Sequence, residues 1–161
     1  GQAISLTLQD QPMNTSPNCI PEHTLNSMDF VFSLEPTFVA RGFTGDIPQL
    51  TKILKAAIQH NGFAFVDALQ ACPSYNHFAT HEYLMEREKD VSEIKGYDAS
   101  NAAKARKQAI DVNKHITTGV LYQREDLPNF YERLVPRQGL KTAAVDEVKK
   151  VNVSEFMKEL V

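Results

Sequence analysis

The chain of 161 residues is long enough for one domain with a hydrophobic core of its own. Its 42% apolar residues, 23% charged residues and formal charge of −3 are ordinary for a globular protein and give no reason to expect a nucleic acid or a membrane as a partner. No apolar run approaches the roughly 18 residues of a membrane-spanning helix. The two cysteines, Cys19 and Cys72, form no Cys-x-x-Cys motif, which favours a reduced pair and a cytoplasmic location.

The first predicted helix follows a long polar segment. Residues 1–24 contain three prolines and predict a loop, which is either disordered or lies against a surface outside this chain. Asn26 is suited to cap a helix over residues 27–34, because its side chain can accept a hydrogen bond from a free amide. This helix must end by Glu35, since the residue before Pro36 avoids helical geometry.

Residues 37–72 predict a strand, a helix and a second strand, which is the pattern of a βαβ unit with parallel strands. Asp46 is placed to cap the helix, with Pro48 in its first turn. Gly62 stands where a left-handed residue would end the helix. The helix carries apolar residues at spacings of three and four, which predict one buried stripe: Leu50, Ile53, Leu54, Ala57 and Ile58.

The second strand of this unit, residues 63–69, is continuously apolar apart from Asp67. Such a run predicts a strand inside the sheet, covered on both faces. A buried carboxylate needs a partner, and Arg41 on the preceding strand is a plausible one. Functional groups of open α/β sheets collect beyond the carboxyl ends of parallel strands, which places them at residues 70–76 here.

The remaining residues predict fewer and shorter elements. Residues 77–95 are polar and form either a solvated helix or a covering loop, and a helix begins near Asp98 or Ser100. Residues 117–122 predict a short strand, and helical propensity returns from Thr142. The scattered apolar residues of the C-terminal third indicate an arm that wraps around the domain, not a second domain.

Cys72 is the first candidate for chemistry, because it directly follows the second strand. Spacing alone favours a small buried hydrophobic residue over a functional thiol. A zinc site formed by Cys72, His77 and His81 is the sharper alternative, since the two histidines would share one face of a helix. The turn at residues 41–46 would offer free amides to a phosphate, but Asp46 brings a negative charge there, so an ordinary turn is favoured.

Two stretches of the sequence carry a resemblance to a known family. Residues 37–46, TFVARGFTGD, and residues 62–76, GFAFVDALQACPSYN, resemble the β subunit of the 2-oxoacid:ferredoxin oxidoreductases. Gly1 and Gln2 resemble the end of that family's YGLTKGQ segment, and residues 119–122 and 131–134 resemble its C-terminal arm. Ala71 departs from the family, which usually has a proline at this position.

The resemblance implies an enzyme that oxidatively decarboxylates a 2-oxoacid to its acyl-CoA and passes two electrons to ferredoxin. It implies thiamine diphosphate, Mg²⁺ and a [4Fe–4S] cluster as cofactors, and an α subunit as a partner. Cys72 would be a cluster ligand, which reverses the preference drawn from spacing, and Gly1 and Gln2 would lie at the rim of the thiamine pocket. Other ligands, including a GDGD motif and three more cysteines, would precede Gly1, so this chain alone is expected to be inactive.

The expected fold is therefore α/β: part of a thiamine-diphosphate-binding fold, with parallel strands, flanking helices and a wrapping C-terminal arm. Residues 1–76 would be the C-terminal part of the thiamine-diphosphate-binding domain, with a loop over 1–24 and the core over 25–76. Residues 77–161 would be the C-terminal extension of the β subunit. The alternative is a non-catalytic module that binds a partner. An open sheet edge would also favour a homodimer.

Overall fold

A computed structural model describes residues 7–13, 15–74, 76, 78–149 and 151–159. The chain forms two compact units, Gly1–Pro128 and Asn129–Val161. None of the helices in the described ranges is long and apolar enough to cross a membrane. The elements, in chain order, are α1 (Ser27–Ser33), β1 (Phe38–Phe43), α2 (Ile47–Gln59), β2 (Ala64–Leu69), α3 (His81–Arg87), β3 (Glu88–Asp90), α4 (Ala102–Ile110), β4 (Ile116–Gln123), α5 (Phe130–Arg133), α6 (Ala144–Val148) and α7 (Ser154–Lys158).

The first unit contains a four-stranded sheet in the order β2–β1–β4–β3. β1 and β2 are parallel, with Phe38 opposite Ala64 and Phe43 opposite Leu69, as the βαβ pattern predicts. β4 runs antiparallel to β1, and β3 runs parallel to β4. The predicted α/β class with a parallel strand pair and flanking helices is confirmed.

Helices cover both faces of the sheet, and successive side chains of β1 point to opposite faces, so β1 packs against helices on each side. Phe38 and Ala40 pack against Ile53 of α2 on one face. Val39 packs on the other face, in a cluster to which α1 and α4 also contribute. All six residues of β1 are buried, so β1 is the centre of the core.

β2 differs from the prediction of a strand covered on both sides. It lies at one edge of the described sheet and pairs there with β1 alone, and its residues are half-buried or exposed. The expectation of an interior strand is therefore wrong within the described residues. The apolar sequence of β2 indicates that the strand is suited to burial. It does not show whether other residues of this chain cover it.

α2 begins as predicted and is buried less than predicted. The Asp46 carboxylate accepts a hydrogen bond from the Gln49 amide at 3.0 Å, which confirms the N-cap. Ile53 is buried, but Leu54 is 43% and Ile58 is 83% exposed. The stripe is thus split: its Ile53 side lies on the sheet, and its Leu54 and Ile58 side faces solvent.

Gly62 does not adopt the left-handed backbone that was predicted for it, because α2 ends at Gln59 with His60 in an extended conformation. Thr37 Oγ1 lies 2.8 Å from His60 Nε2 and donates a hydrogen bond to the Phe63 carbonyl at 3.0 Å. A β-carbon on residue 62 would overlap both Thr37 Oγ1 and His60 Nε2. Glycine is needed at this position for close approach, not for a turn.

α1 confirms the predicted cap and end. The Asn26 side chain accepts a hydrogen bond from the Asp29 amide, and the helix stops at Ser33. Glu35 follows with φ of +52°, in the left-handed region that disfavours every residue with a side chain except for a few polar ones.

Replacing Glu35 with glycine is expected to raise the free energy of unfolding by about 0.5–1 kcal/mol, because glycine adopts this conformation without steric strain. Urea denaturation of the two proteins measures the difference. Glu35→Ala is the matched control, and it should give no gain because alanine keeps the β-carbon. A loss of stability in Glu35→Gly would contradict the strain argument.

The described part of the N-terminal loop is tied together by hydrogen bonds. The Asp10 amide donates to the Ile20 carbonyl at 2.9 Å, and the Gln9 amide donates to Thr24 Oγ1 at 2.9 Å. Ile20 is buried. Residues 7–24, apart from residue 14, therefore form a closed loop.

Tyr97 attaches the segment before α4 to the sheet. Its hydroxyl donates a hydrogen bond to the Leu121 carbonyl at 2.7 Å. Burial, with a smaller contribution from the charge of Asp98, raises the pKa of Tyr97 to about 12. The neutral phenol is thus favoured in the folded chain.

Stability is expected to fall as the pH rises from 10 towards 12. The unfolded chain releases the Tyr97 proton near pH 10 and the folded chain does not, so the unfolded state binds fewer protons in this window. The loss reaches at most about 2 kcal/mol once partial solvent exposure is allowed for. Urea denaturation at several pH values measures it, with Tyr97→Phe as the control, whose curve should lack this component.

The second unit is held by a polar contact. The Arg137 guanidinium donates to the Glu147 carboxylate at 2.6 Å and to the Thr142 carbonyl at 2.7 Å, and it lies 4.9 Å from the centre of the Tyr131 ring. No described residue of this unit is buried. Its large apolar side chains, among them Phe130 and Phe156, are exposed.

Candidate functional site

The candidate site lies where β1 and β2 end. The two strands are parallel, so their carboxyl ends meet at one edge of the sheet, and the Thr44 amide donates to the Leu69 carbonyl at 2.9 Å. β1 continues through a turn into α2, and β2 continues through Gln70 and Ala71 to Cys72. The structure thus places Cys72 at the edge where the sequence predicted functional groups.

Cys72 is a free and exposed thiol. The neighbouring Ala71 packs against the apolar cluster of Phe43, Leu84 and Ile116, so the chain is anchored one residue before the thiol. The interpretation drawn from spacing alone, a small buried hydrophobic residue, is therefore wrong. An anchored backbone with an exposed sulfur is suited to metal binding or thiol chemistry.

The loop after Cys72 turns back onto itself. The Asn76 amide donates to the Cys72 carbonyl at 3.0 Å. The Asn76 side chain in turn accepts hydrogen bonds from the amides of Phe78 and Ala79, at 3.0 and 2.9 Å. Thr80 then caps α3. These bonds fix the backbone at Cys72 from its C-terminal side, as the contacts of Ala71 fix it from the other.

His81 lies at the same edge of the sheet. Its ring contacts that of Phe43 in a tilted arrangement, with the ring centres 5.1 Å apart, and the residue is exposed. His77, the third member of the proposed zinc site, lies outside the described residues, so that site stays a prediction. Within the described ranges, no three His, Cys, Asp or Glu side chains are grouped to hold a metal ion.

An acidic cavity of about 390 Å³ opens beside the start of α2. Gln49 spans its wall, because its side-chain amide donates to the Asp90 carboxylate at 2.5 Å and to Thr118 Oγ1 at 3.0 Å. The residues that line the cavity are Asp46, Pro48, Gln49, Lys52, Met85, Glu88, Asp90 and Glu93. The excess of carboxylates disfavours an anion here, which agrees with the choice of an ordinary turn over a phosphate cradle.

Two carboxyl groups of this cavity have shifted pKa values. Burial, together with the negative charges of Asp46 and Asp90, raises the pKa of Glu88, although a hydrogen bond with Thr118 opposes the shift. Burial also acts to raise the pKa of Asp90, but hydrogen bonds from Ser92 and Gln49 outweigh it and lower the pKa. Sequence analysis missed this cavity, because Asp46 and Glu88 are far apart in the chain and approach only through the sheet.

The expected partner of Asp67 is confirmed. Arg41 and Asp67 face each other across the parallel strands, and Arg41 Nε donates to Asp67 Oδ2 at 2.8 Å. The guanidinium also donates to the Ala109 carbonyl of α4 at 3.1 Å. This pair ties both strands to α4. Gly1 and Gln2, the residues expected at the thiamine pocket, lie outside the described residues.

Comparisons with known proteins show which family this chain belongs to. A family model for the C-terminal region of the pyruvate ferredoxin oxidoreductase β chain matches residues 72–138. The chain is 30% identical over 143 residues to the 2-oxoacid:ferredoxin oxidoreductase subunit beta of Sulfolobus sp, covering 83% of this chain and 47% of that subunit. The chain belongs to the β subunits of the 2-oxoacid:ferredoxin oxidoreductases. It matches their C-terminal part, as the resemblance predicted.

Other relatives agree with this placement. The 2-oxoacid:ferredoxin oxidoreductase subunit beta of Saccharolobus solfataricus is 31% identical over 122 residues, which are 70% of this chain and 40% of that subunit. The 2-oxoglutarate oxidoreductase subunit KorB of Mycobacterium tuberculosis is 42% identical over 55 residues, which are 34% of this chain and 15% of that subunit. The chain thus spans about half the length of these β subunits, or somewhat less: 47% of the Sulfolobus subunit and 40% of the Saccharolobus subunit.

A solved structure shares the fold. It is the 2-oxoglutarate:ferredoxin oxidoreductase from Magnetococcus marinus with 2-oxoglutarate, coenzyme A and succinyl-CoA bound. The similarity covers 100% of this chain and 53% of that chain, with a TM-score of 0.72 and 23% identity. At this identity the likeness supports the architecture alone, and it agrees with the fold that the resemblance implied.

Proposed function

We propose that this chain acts as part of the β subunit of a 2-oxoacid:ferredoxin oxidoreductase, and that Cys72 is a ligand of its [4Fe–4S] cluster. The enzyme would convert a 2-oxoacid and coenzyme A to acyl-CoA and carbon dioxide, with the two electrons passing to ferredoxin. It would work with an α subunit in the cytoplasm. The free state of both cysteines supports a reducing compartment.

The exposed thiol of Cys72, at the end of a parallel strand, is the observation that carries the proposal. A cluster of this kind is held by cysteine thiolates, four in all. This sequence contains two cysteines, Cys19 and Cys72, so at least two ligands must come from residues outside it. A ligand shared in this way must face outwards, as Cys72 does, and its backbone must be held in place.

The residues around Cys72 fit this role. On the N-terminal side of Cys72, Ala71 packs on the apolar cluster that contains Phe43, and on the C-terminal side the Asn76 turn fixes the backbone. Apolar residues near the ligand would reduce the solvent exposure of a bound cluster, which is one of the properties that set its reduction potential. The cluster would act as a one-electron carrier between the substrate and ferredoxin.

We also propose that Gly1 and Gln2 lie at the rim of a thiamine diphosphate site, with Mg²⁺ on the diphosphate. The cofactor stabilises the carbanion that decarboxylation leaves. In the same proposal, residues 1–76 belong to the thiamine-diphosphate-binding domain and residues 77–161 to the C-terminal extension. The start of the family match at residue 72 supports a boundary near this point.

Replacing Cys72 with alanine in the assembled α/β enzyme is the test. We expect the iron content, the visible absorbance of the cluster and the reduction of ferredoxin to be lost together, because no other thiol of this chain lies at the same strand end. Cys19→Ala is the matched control, since Cys19 is equally free and exposed, and it should keep the cluster. A full cluster with normal turnover in the Cys72 variant would contradict the assignment.

A second measurement uses the chain by itself. Anaerobic treatment of the 161 residues with iron and sulfide is expected to give no stable four-iron cluster and no turnover, since two cysteines cannot supply four thiolates. Stable incorporation of such a cluster would contradict the argument from missing ligands. Stoichiometric zinc in the purified chain, lost in His81→Ala, would favour the zinc site instead.

A further inference from the structure

Asn61 and Gly62 form an exposed bend between α2 and β2. No other asparagine of the sequence is followed by glycine. α2 ends at Gln59 and β2 begins at Ala64, so the bend belongs to neither element. It precedes β2 and Cys72 follows β2, so the bend and Cys72 lie at opposite ends of this strand.

The backbone amide of Gly62 is available for reaction. Within the described part of the chain it donates no hydrogen bond, whereas the amides on either side of the bend are engaged. The His60 amide donates to the Ala56 carbonyl at 3.0 Å, and the Phe38 amide donates to the Phe63 carbonyl at 3.1 Å. Glycine has no β-carbon, so nothing on Gly62 hinders an approach of its nitrogen to the side chain of Asn61.

We propose that Asn61 is a site of spontaneous deamidation, with water as the co-reactant and isoaspartate as one product. The Gly62 nitrogen loses its proton to solvent and attacks Cγ of Asn61. A bond forms between these two atoms, the bond from Cγ to Nδ2 breaks, and the side-chain nitrogen leaves as ammonia. Water then opens the cyclic imide: addition at Cγ gives aspartate, and addition at the backbone carbonyl carbon gives isoaspartate. No atom is oxidised or reduced.

Isoaspartate at this position would disturb the start of β2. Its main chain runs through Cβ and Cγ, which lengthens the backbone between α2 and β2 by one atom. Gly62 has little room to move, because a β-carbon there would overlap both Thr37 Oγ1 and His60 Nε2. The longer backbone is therefore expected to displace the Phe63 carbonyl. That carbonyl accepts hydrogen bonds from the amides of Thr37 and Phe38, at 3.3 and 3.1 Å, and both bonds should weaken.

Incubation of the folded 161-residue chain in mildly alkaline buffer, followed by peptide mass spectrometry, tests the reaction. Asn61 should gain about 1 Da, and the product should accept a methyl group from an isoaspartyl methyltransferase. Asn113, which is exposed and followed by lysine, is the internal control. It should react at least about tenfold more slowly, because the side chain of the following residue hinders the attack.

Three outcomes of this incubation decide the matter. Asn61→Gln should show no gain at residue 61, since its longer side chain would have to close a larger ring. Equal rates at Asn61 and Asn113 would overturn the proposal. A gain at Asn61 that occurs only in urea would also overturn it, because the folded bend would then protect the residue.

Hydrogen exchange tests the structural consequence. In the isolated isoaspartyl form the amides of Thr37 and Phe38 should exchange at least about tenfold faster than in the unmodified chain. Asn61→Asp is the matched control: it carries the same added charge on an ordinary backbone and should exchange like the unmodified chain. Equal acceleration in Asn61→Asp would overturn the argument from backbone length. Neither measurement needs iron, so the result is independent of the cluster assignment.

Discussion

Replacing Asp67 with alanine is expected to lower the free energy of unfolding by about 2–4 kcal/mol, because it leaves a guanidinium buried without its counter-charge. The Arg41 side chain is 6% exposed, and its remaining described hydrogen bond runs to the Ala109 carbonyl. Asp67 is 23% exposed, so some water can replace the carboxylate, which places the loss below that of a fully buried pair. Urea denaturation of the wild-type and variant chains measures the loss.

The matched control is Asp29→Ala. Asp29 pairs with Arg106 at 2.6 Å, but both side chains are 46% exposed, so its loss should cost under about 1 kcal/mol. The double variant Arg41→Met with Asp67→Leu removes both charges at once and should recover most of the stability that Asp67→Ala loses. Equal losses in the free energy of unfolding for Asp67→Ala and Asp29→Ala would show that burial of the Arg41–Asp67 pair adds nothing to its contribution to stability.

The βαβ unit could be predicted because its signals are local. Asp46 caps α2 through an amide three residues away, and Pro36 limits α1 through its immediate neighbour. The pairing of Arg41 with Asp67 was also predictable. A charged residue in an apolar strand needs a partner, and the adjacent parallel strand offered one.

Other features depend on contacts that sequence spacing does not report. The spacing of Leu54 and Ile58 predicts that they share one buried face with Ile53, but α2 packs on the sheet through Ile53 and leaves the other two exposed. Gly62 looked like a helix end, and its role instead comes from the approach of Thr37 and His60. Residue types alone could not show these approaches, because they arise only once the strands are paired.

The candidate site shows the same division. The position of Cys72 at the end of a strand follows from the chain order, whereas its exposure depends on how Ala71 and the Asn76 turn are held. A cysteine is buried in most proteins, so spacing alone favoured the wrong environment. The acidic cavity needed the pairing of β3 with β4 before Glu88 and Asp46 could approach each other.

Replacing Gly119 with alanine is expected to destabilise the chain by about 2–4 kcal/mol, as the sum of backbone strain and overpacking. Gly119 has φ of +98° and lies opposite Arg41, one residue pair away from the point where the register of β1 and β4 shifts. A β-carbon at this position would lie 2.6 Å from Val91 Cγ2, which is closer than two non-bonded carbon atoms approach in proteins. The variant must therefore strain its backbone and displace Val91.

Two other glycines separate these contributions. Gly96 and Gly139 also have positive φ, at +73° and +84°, but an added β-carbon there meets nothing within 4 Å. Their alanine variants should each cost about 1 kcal/mol, which is the strain alone. Combining Gly119→Ala with Val91→Ala should then cost less than the sum of the single changes, since the smaller side chain makes room for the new methyl group. If Gly119→Ala costs no more than Gly96→Ala in urea denaturation, Val91 does not restrict this strand.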